Sequence, residues 1–196
     1  MACGMRRALA CLLLAVALTA CSQPKKPWYG SDITGVMPKL SFTMTRANDS
    51  AQVTAKDYLG RIVLLYFGYT NCPDICPTTL ANLSDMLEKL GPDASKVRVL
   101  FVTVDPNRDT LSVLKKYVAA FAPQMDGLRG NDNAIAALAR RYRVAYSVTP
   151  ASPQHPYTVT HSSAVFFFDQ KGHARLVTLS TDDPVGLAND VKRFLD

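Results

Sequence analysis

Three apolar runs mark the chain: Ile62-Val63-Leu64-Leu65-Tyr66-Phe67, Val97 to Val104 with Arg98 interrupting near its start, and Ala164 to Phe168. A run without polar alternation is the pattern of a strand covered on both faces. Between the first two, Leu80, Leu83, Leu87 and Leu90 recur at helical spacing, predicting a helix from about Pro77 to Leu90 that Gly91-Pro92 stops. Strand, helix and strand at this spacing make a βαβ unit, expected to cross over right-handed. Further helices are predicted from Asp109, as N-cap, to Phe121, from Asn133 to Tyr142 and from Pro184 to Leu195. Asp169-Gln170-Lys171-Gly172 is a hairpin turn between Ala164–Phe168 and Ala174–Leu179. Ser147 to Pro156 holds three prolines and is expected to be a long loop. The pattern describes an α/β fold: one domain, a central mixed β-sheet flanked by helices, a late β-hairpin and a C-terminal helix.

Composition fits that picture. The chain has 196 residues, enough for one full core and hardly for two, and its 48% apolar and 19% charged residues exclude disorder and coiled coil. Residues 1–20 have the form of an export signal. Arg6 and Arg7 precede an apolar stretch from Ala8 to Leu18 that is too short to span a bilayer. Leu18-Thr19-Ala20-Cys21 resembles a bacterial lipobox, with Cys21 as the lipidated first mature residue. An ordinary cleavage leaving Cys21 as a thiol is the alternative. Residues 21–30, with Pro24, Lys25, Lys26 and Pro27, read as a tether, and 31–196 as the folded domain. Loss of Arg6 and Arg7 takes two charges off the formal +6. The remaining basic cluster, Arg140, Arg141 and Arg143, falls at a helix end, where cations favour the dipole. No nucleic-acid footprint is present.

Setting aside Cys3, Cys11 and Cys21 leaves two thiols, Cys72 and Cys76, in Cys72-Pro73-Asp74-Ile75-Cys76-Pro77. Two close cysteines between a buried strand and a helix, in an exported protein, suit redox or metal chemistry. Pro77 suits the first helical position, so Cys76 is expected to cap the helix, with Cys72 in the loop ahead. Nearness to the helix N-terminus favours thiolate over thiol. A structural disulfide is the blander reading, although so short a loop gains little entropy from closure. A metal site needs a third ligand. His173 lies in the hairpin turn and His155 in the proline-rich loop. His161 precedes the buried strand Ala164–Phe168. If that strand runs antiparallel to Ile62–Phe67, His161 faces Cys72 and Cys76. Otherwise it is a hydrogen-bonded structural histidine.

These residues resemble the Sco/SenC family of copper proteins. The similarity runs from Asp32-Ile33-Thr34-Gly35 through Tyr58-Leu59-Gly60 and Tyr66-Phe67-Gly68-Tyr69-Thr70 to the cysteine motif. It continues through Val104-Asp105-Pro106, Arg108-Asp109-Thr110, Tyr142-Arg143-Val144 and His161-Ser162. The resemblance implies a thioredoxin-like fold, copper held by Cys72, Cys76 and His161, and a Cys72–Cys76 disulfide on oxidation. It also implies a role in assembling the copper centre of cytochrome c oxidase, with that enzyme's copper-site subunit as partner. Another periplasmic copper chaperone or a thiol reductant would act upstream. A lipid anchor facing the periplasm fits this role, on the inner membrane by function, although Ser22 leaves the outer one open. Two departures stand out. Thr160 replaces an aspartate that many relatives carry before the histidine, and Asn71 replaces a histidine before the first cysteine.

The same residues serve several functions. A metallochaperone would take copper on Cys72, Cys76 and His161 and pass it on. A thiol-disulfide oxidoreductase would use Cys72 and Cys76 as the redox pair, with His161 only tuning the thiolate. A copper or redox sensor would use the same three residues with another partner. Peroxidase activity is disfavoured, since the sequence marks no peroxide-activating arginine. A chaperone is expected foremost, because Thr160-His161-Ser162 lacks the proline usual before the late strand of such oxidoreductases.

Overall fold

The computed structural model describes residues 27–195. The signal, the lipobox and most of the tether lie outside them. Among the described residues, ten strands and four α-helices follow in the order β1 (Ser31–Asp32), β2 (Thr43–Arg46), β3 (Gln52–Thr54), β4 (Ile62–Gly68), α1 (Ile75–Leu90), β5 (Val97–Thr103), α2 (Leu111–Ala119) and β6 (Met125–Arg129), then α3 (Asp132–Arg141), β7 (Tyr146–Thr149), β8 (Thr158–His161), β9 (Val165–Phe168), β10 (Ala174–Thr178) and α4 (Pro184–Lys192). Eight strands form one sheet in the order β1-β10-β9-β4-β5-β6-β2-β3, while β7 and β8 make a separate antiparallel ribbon. None of the described helices is long and apolar enough to cross a membrane.

The longest apolar run occupies the most enclosed place. Every residue of β4 is buried, with β5 parallel on one side and β9 antiparallel on the other. The predicted stripe on α1 packs inward: Leu80, Leu83, Leu87 and Leu90 are buried, joined by Met86. Burying each such side chain is worth about 1.5–3 kcal/mol. The β9–β10 turn forms as expected, with Gly172 at φ +73° and its N–H donating to the Asp169 carbonyl.

Several boundaries differ from the sequence expectation, each for a physical reason. Helix α1 starts at Ile75, so Cys76 lies inside its first turn and Pro77 one residue later. First-turn N–H groups have no intrahelical acceptor, so proline costs nothing there. Thr110 caps α2 in place of Asp109, its side chain accepting from the Val113 N–H. Asn131 caps α3, and α4 ends at Lys192. Strand β6 was invisible as an apolar run because Asp126 and Gly127 interrupt it. Asp126 instead accepts a hydrogen bond from the buried Tyr58 hydroxyl at 3.0 Å. The expected loop from Ser147 is shorter, because Ser147–Thr149 pair with Thr158–Thr160. The tether also ends early. The N–H groups of Tyr29 and Gly30 donate to the buried Asp190 carboxylate at 2.9 and 3.0 Å, and Trp28 lies under Arg193 and beside Phe194.

Candidate metal centre

Strand β4 delivers the chain to the site and Gly68 ends it. A β-carbon at Gly68 would sit 2.6 Å from the Phe101 ring and 2.8 Å from Cys76 Sγ, so the sulfur packs where a side chain would otherwise be. The following loop carries Cys72 to the N-terminus of α1. Asp74 occupies the cap position without a side-chain cap bond. Cys72 Sγ accepts from the Cys76 N–H at 3.4 Å instead, so a ligand thiol satisfies one of the helix's free donors.

Strand β9 does run antiparallel to β4, with Tyr66 opposite Val165. This puts the preceding residues above the cysteine loop. His161 Nε2 lies 3.1 Å from Cys76 Sγ. Its Nδ1 lies 2.9 Å from the Ser162 carbonyl, which can only accept, so the ring proton sits on Nδ1 and the Nε2 lone pair faces the thiols. The rings of Tyr66 and Tyr69 meet His161 edge-on, with centroids 6.0 and 5.8 Å away. Burial lowers the His161 pKa below its ordinary value, keeping the imidazole neutral, the form that binds metal.

The donor atoms of Cys72, Cys76 and His161 all lie within 4.8 Å of one another. Both cysteines are free thiols. Cys72 borders an open cleft of about 340 Å³, together with Tyr69, Pro73, Asp74, Ile75, Val159, Thr160 and His161. Cys76 lies beneath, fully buried. The expected thiolate bias at the helix N-terminus does not hold for it: burial, reinforced by Cys72, pushes the Cys76 thiol up to about 12. A rise of that size is worth several kcal/mol, against ~1 kcal/mol for the dipole. A bound cation would reverse this balance by taking the proton's place. Two soft sulfurs and one oriented imidazole fit a soft metal ion.

His155 and His173 are not part of the site. The His155 ring faces the Pro156 carbonyl in the exposed loop, and His173 packs beside Asp169 in the β9–β10 turn. Thr160 borders the cleft from the exposed face of β8, while Asn71 does not line it. The sequence pattern does not connect two further features with the site. One is the pair of tyrosine rings around His161. The other is the loop after β5, where the buried Asp109 accepts from the Thr70 N–H at 3.0 Å and from the Thr70 and Thr103 hydroxyls at 2.5 and 2.6 Å. The juxtaposed acids and arginine of Asp105-Pro106-Asn107-Arg108-Asp109 were the available signal.

Fold and site together define a thioredoxin-like domain with two thiols and one imidazole gathered at the end of its central strand. The SCO1/SenC family model matches residues 37–196, and the chain belongs to that family. A SCO2-like protein of Rickettsia prowazekii is 34% identical over 158 residues, covering 79% of this chain and 77% of its own. The mitochondrial SCO2 homolog of Bos taurus is 43% identical over 118 residues, which is 59% of this chain and 44% of that protein. The chain thus spans under half the length of that mitochondrial relative. Among solved structures, copper-bound ScoI of Bradyrhizobium japonicum aligns with a TM-score of 0.72 at 35% identity, covering 80% of this chain and 98% of that one. Copper-bound yeast Sco1 aligns at 0.71 with 29% identity, covering 86% and 89%.

Proposed function

We propose that this protein is a copper metallochaperone that takes one copper ion as cargo on Cys72, Cys76 and His161. It delivers the ion to the copper-site subunit of a cytochrome c oxidase. The observation that carries the reading is the 3.1 Å approach of His161 Nε2 to Cys76 Sγ, with the Cys72 thiol completing the group. Thiolates favour Cu(I), and the imidazole lets the same site hold Cu(II). The copper-bound ScoI and Sco1 relatives support the choice of metal. The export-signal and lipobox patterns support a mature chain anchored through Cys21 and facing the periplasm, with more than one acyl chain supplying stable attachment. Copper stoichiometry on the reduced, desalted chain lacking residues 1–21 tests the site. One copper per chain is expected, lost in Cys72→Ala/Cys76→Ala and sharply weakened in His161→Ala. No copper in the wild type would refute the reading. Mass spectrometry of the mature N-terminus tests the anchor.

A second reading rests on the unequal exposure of the thiols. Cys72, at the cleft, would attack a partner disulfide and Cys76 would resolve the mixed disulfide. The partner gains two thiols while this chain closes its own disulfide, transferring two electrons and two protons. Disulfide exchange that survives His161→Ala, with no retained copper in the wild type, would favour this reading.

A further inference from the structure

The β7–β8 ribbon carries His161 yet lies outside the main sheet. Among the described residues, two side-chain hydrogen bonds join positions 146–161 to the body. One is His161 to Cys76, within the site itself. The other is the Tyr157 hydroxyl donating to Asp105 Oδ1 at 2.7 Å, four residues before His161. Arg108 completes the second contact: it pairs with Asp105, and its guanidinium stacks on the Tyr157 ring at 4.0 Å and faces the Tyr69 ring at 5.8 Å.

The loop that receives Tyr157 is rigidly held. Asp105 is fully buried, and its N–H donates to Thr103 Oγ1 at 3.0 Å. Arg129 from β6 donates to the carbonyls of Pro106 and Asp109. Asp109, in the same loop, fixes Thr70 on the cysteine loop. One braced segment therefore grips the cysteine loop through Asp109 and the histidine ribbon through Asp105 and Arg108.

We infer that Tyr157, Asp105 and Arg108 are positioning residues that latch the His161 ribbon over the cysteines. Without the latch, the ribbon keeps the apolar packing of Tyr146 and Val159 and the contacts of His161 with Cys76 and with the Tyr66 and Tyr69 rings. His161 then spends part of its time away from the thiols, and the site works as a two-thiol site. The inference builds on the proposed copper function, but its first test needs no metal.

Tyr157→Phe removes one hydroxyl from a half-exposed ring and keeps the surface for Arg108. In the metal-free chain, amide hydrogen exchange across Thr158–His161 should rise about tenfold while β4 and β5 stay protected. Unchanged exchange in β8 overturns the latch, whatever the chain binds. With copper, retention against a competing chelator should fall about 10-fold in Tyr157→Phe, the usual scale for a residue orienting a ligand. It should fall no further when Tyr157→Phe is added to His161→Ala. An equal loss in both backgrounds means that the hydroxyl acts on the fold at large, and also overturns the proposal. Arg108→Leu should reproduce both effects.

Discussion

Cys76 and His161 are separated by 85 positions in sequence and by 3.1 Å in space. Nothing local brings them together. The contact exists because β9 lies antiparallel on β4, so that the end of one strand and the approach to the other share a sheet edge. The histidine thus reports on the whole sheet, whereas the two cysteines report on one turn of helix.

Burial separates the two thiols chemically. In the metal-free protein at pH 8, iodoacetamide should modify Cys72 well before Cys76, because Cys76 is sealed beneath the cleft and its thiol is raised to about 12. Peptide mapping by mass spectrometry reads the order. Equal labelling would show that the Cys76 pocket opens readily.

The same shift has a sign in stability. The folded chain holds the Cys76 proton above pH 9.0, where the unfolded chain releases it. The stabilisation is therefore complete below about 9 and is lost as pH rises toward about 12. Denaturant midpoints of the metal-free protein should fall across that interval, and Cys76→Ser should flatten this part of the profile.

Gly68 has no room for even a methyl group. Gly68→Ala forces the new carbon against Phe101 and Cys76 Sγ, displacing one of them. Strain in a packed interior costs about 1–3 kcal/mol, so thermal unfolding should come several degrees earlier. Copper retention should fall as well. A wild-type melting curve with intact retention would contradict the packing described.

Asp109→Asn leaves the shape of the hub but takes away its charge. Three donors now converge on one carboxylate. An amide that must present its own NH2 to one of them should cost about 1–3 kcal/mol, measured by chemical denaturation. Because Thr70 leads directly into the cysteine loop, Cys72 alkylation should also change rate.

Thr160→Asp would place a carboxylate directly before the histidine. It would stand on the exposed face of β8 at the cleft edge. A hard oxygen ligand favours Cu(II) over Cu(I). Competition assays should show Cu(II) held about 10-fold more tightly, with Cu(I) little changed.

How far the sequence discloses the protein depends on the source of each feature. Strand β4 and helix α1 were readable because burial on both faces, or on one stripe, writes itself into an apolar pattern. Strand β6 was not, because Asp126 is paid for by a tyrosine 68 residues away. The ribbon was hidden by its half-exposed Ser and Thr positions and by the prolines of its loop. Asp109 looked like a helix cap because aspartate commonly is one, and only tertiary structure shows it turned inward. His161 is identifiable from sequence as a candidate, while its contacts with Tyr66 and Tyr69 are not, since ring contacts leave no periodicity.

The depth of Cys76 imposes an itinerary on whatever exchanges with the centre. A visiting ligand meets Cys72 and His161 at the mouth of the cleft, with Cys76 behind them as the floor. Under the proposed function, a metal ion held there would lose its outer two contacts first and the inner sulfur last, and uptake would follow the same path backwards. Such a centre would behave as a one-ended berth, and a partner would have to bring its own ligands to the mouth, because the far side is closed by Phe101 and the end of the central strand.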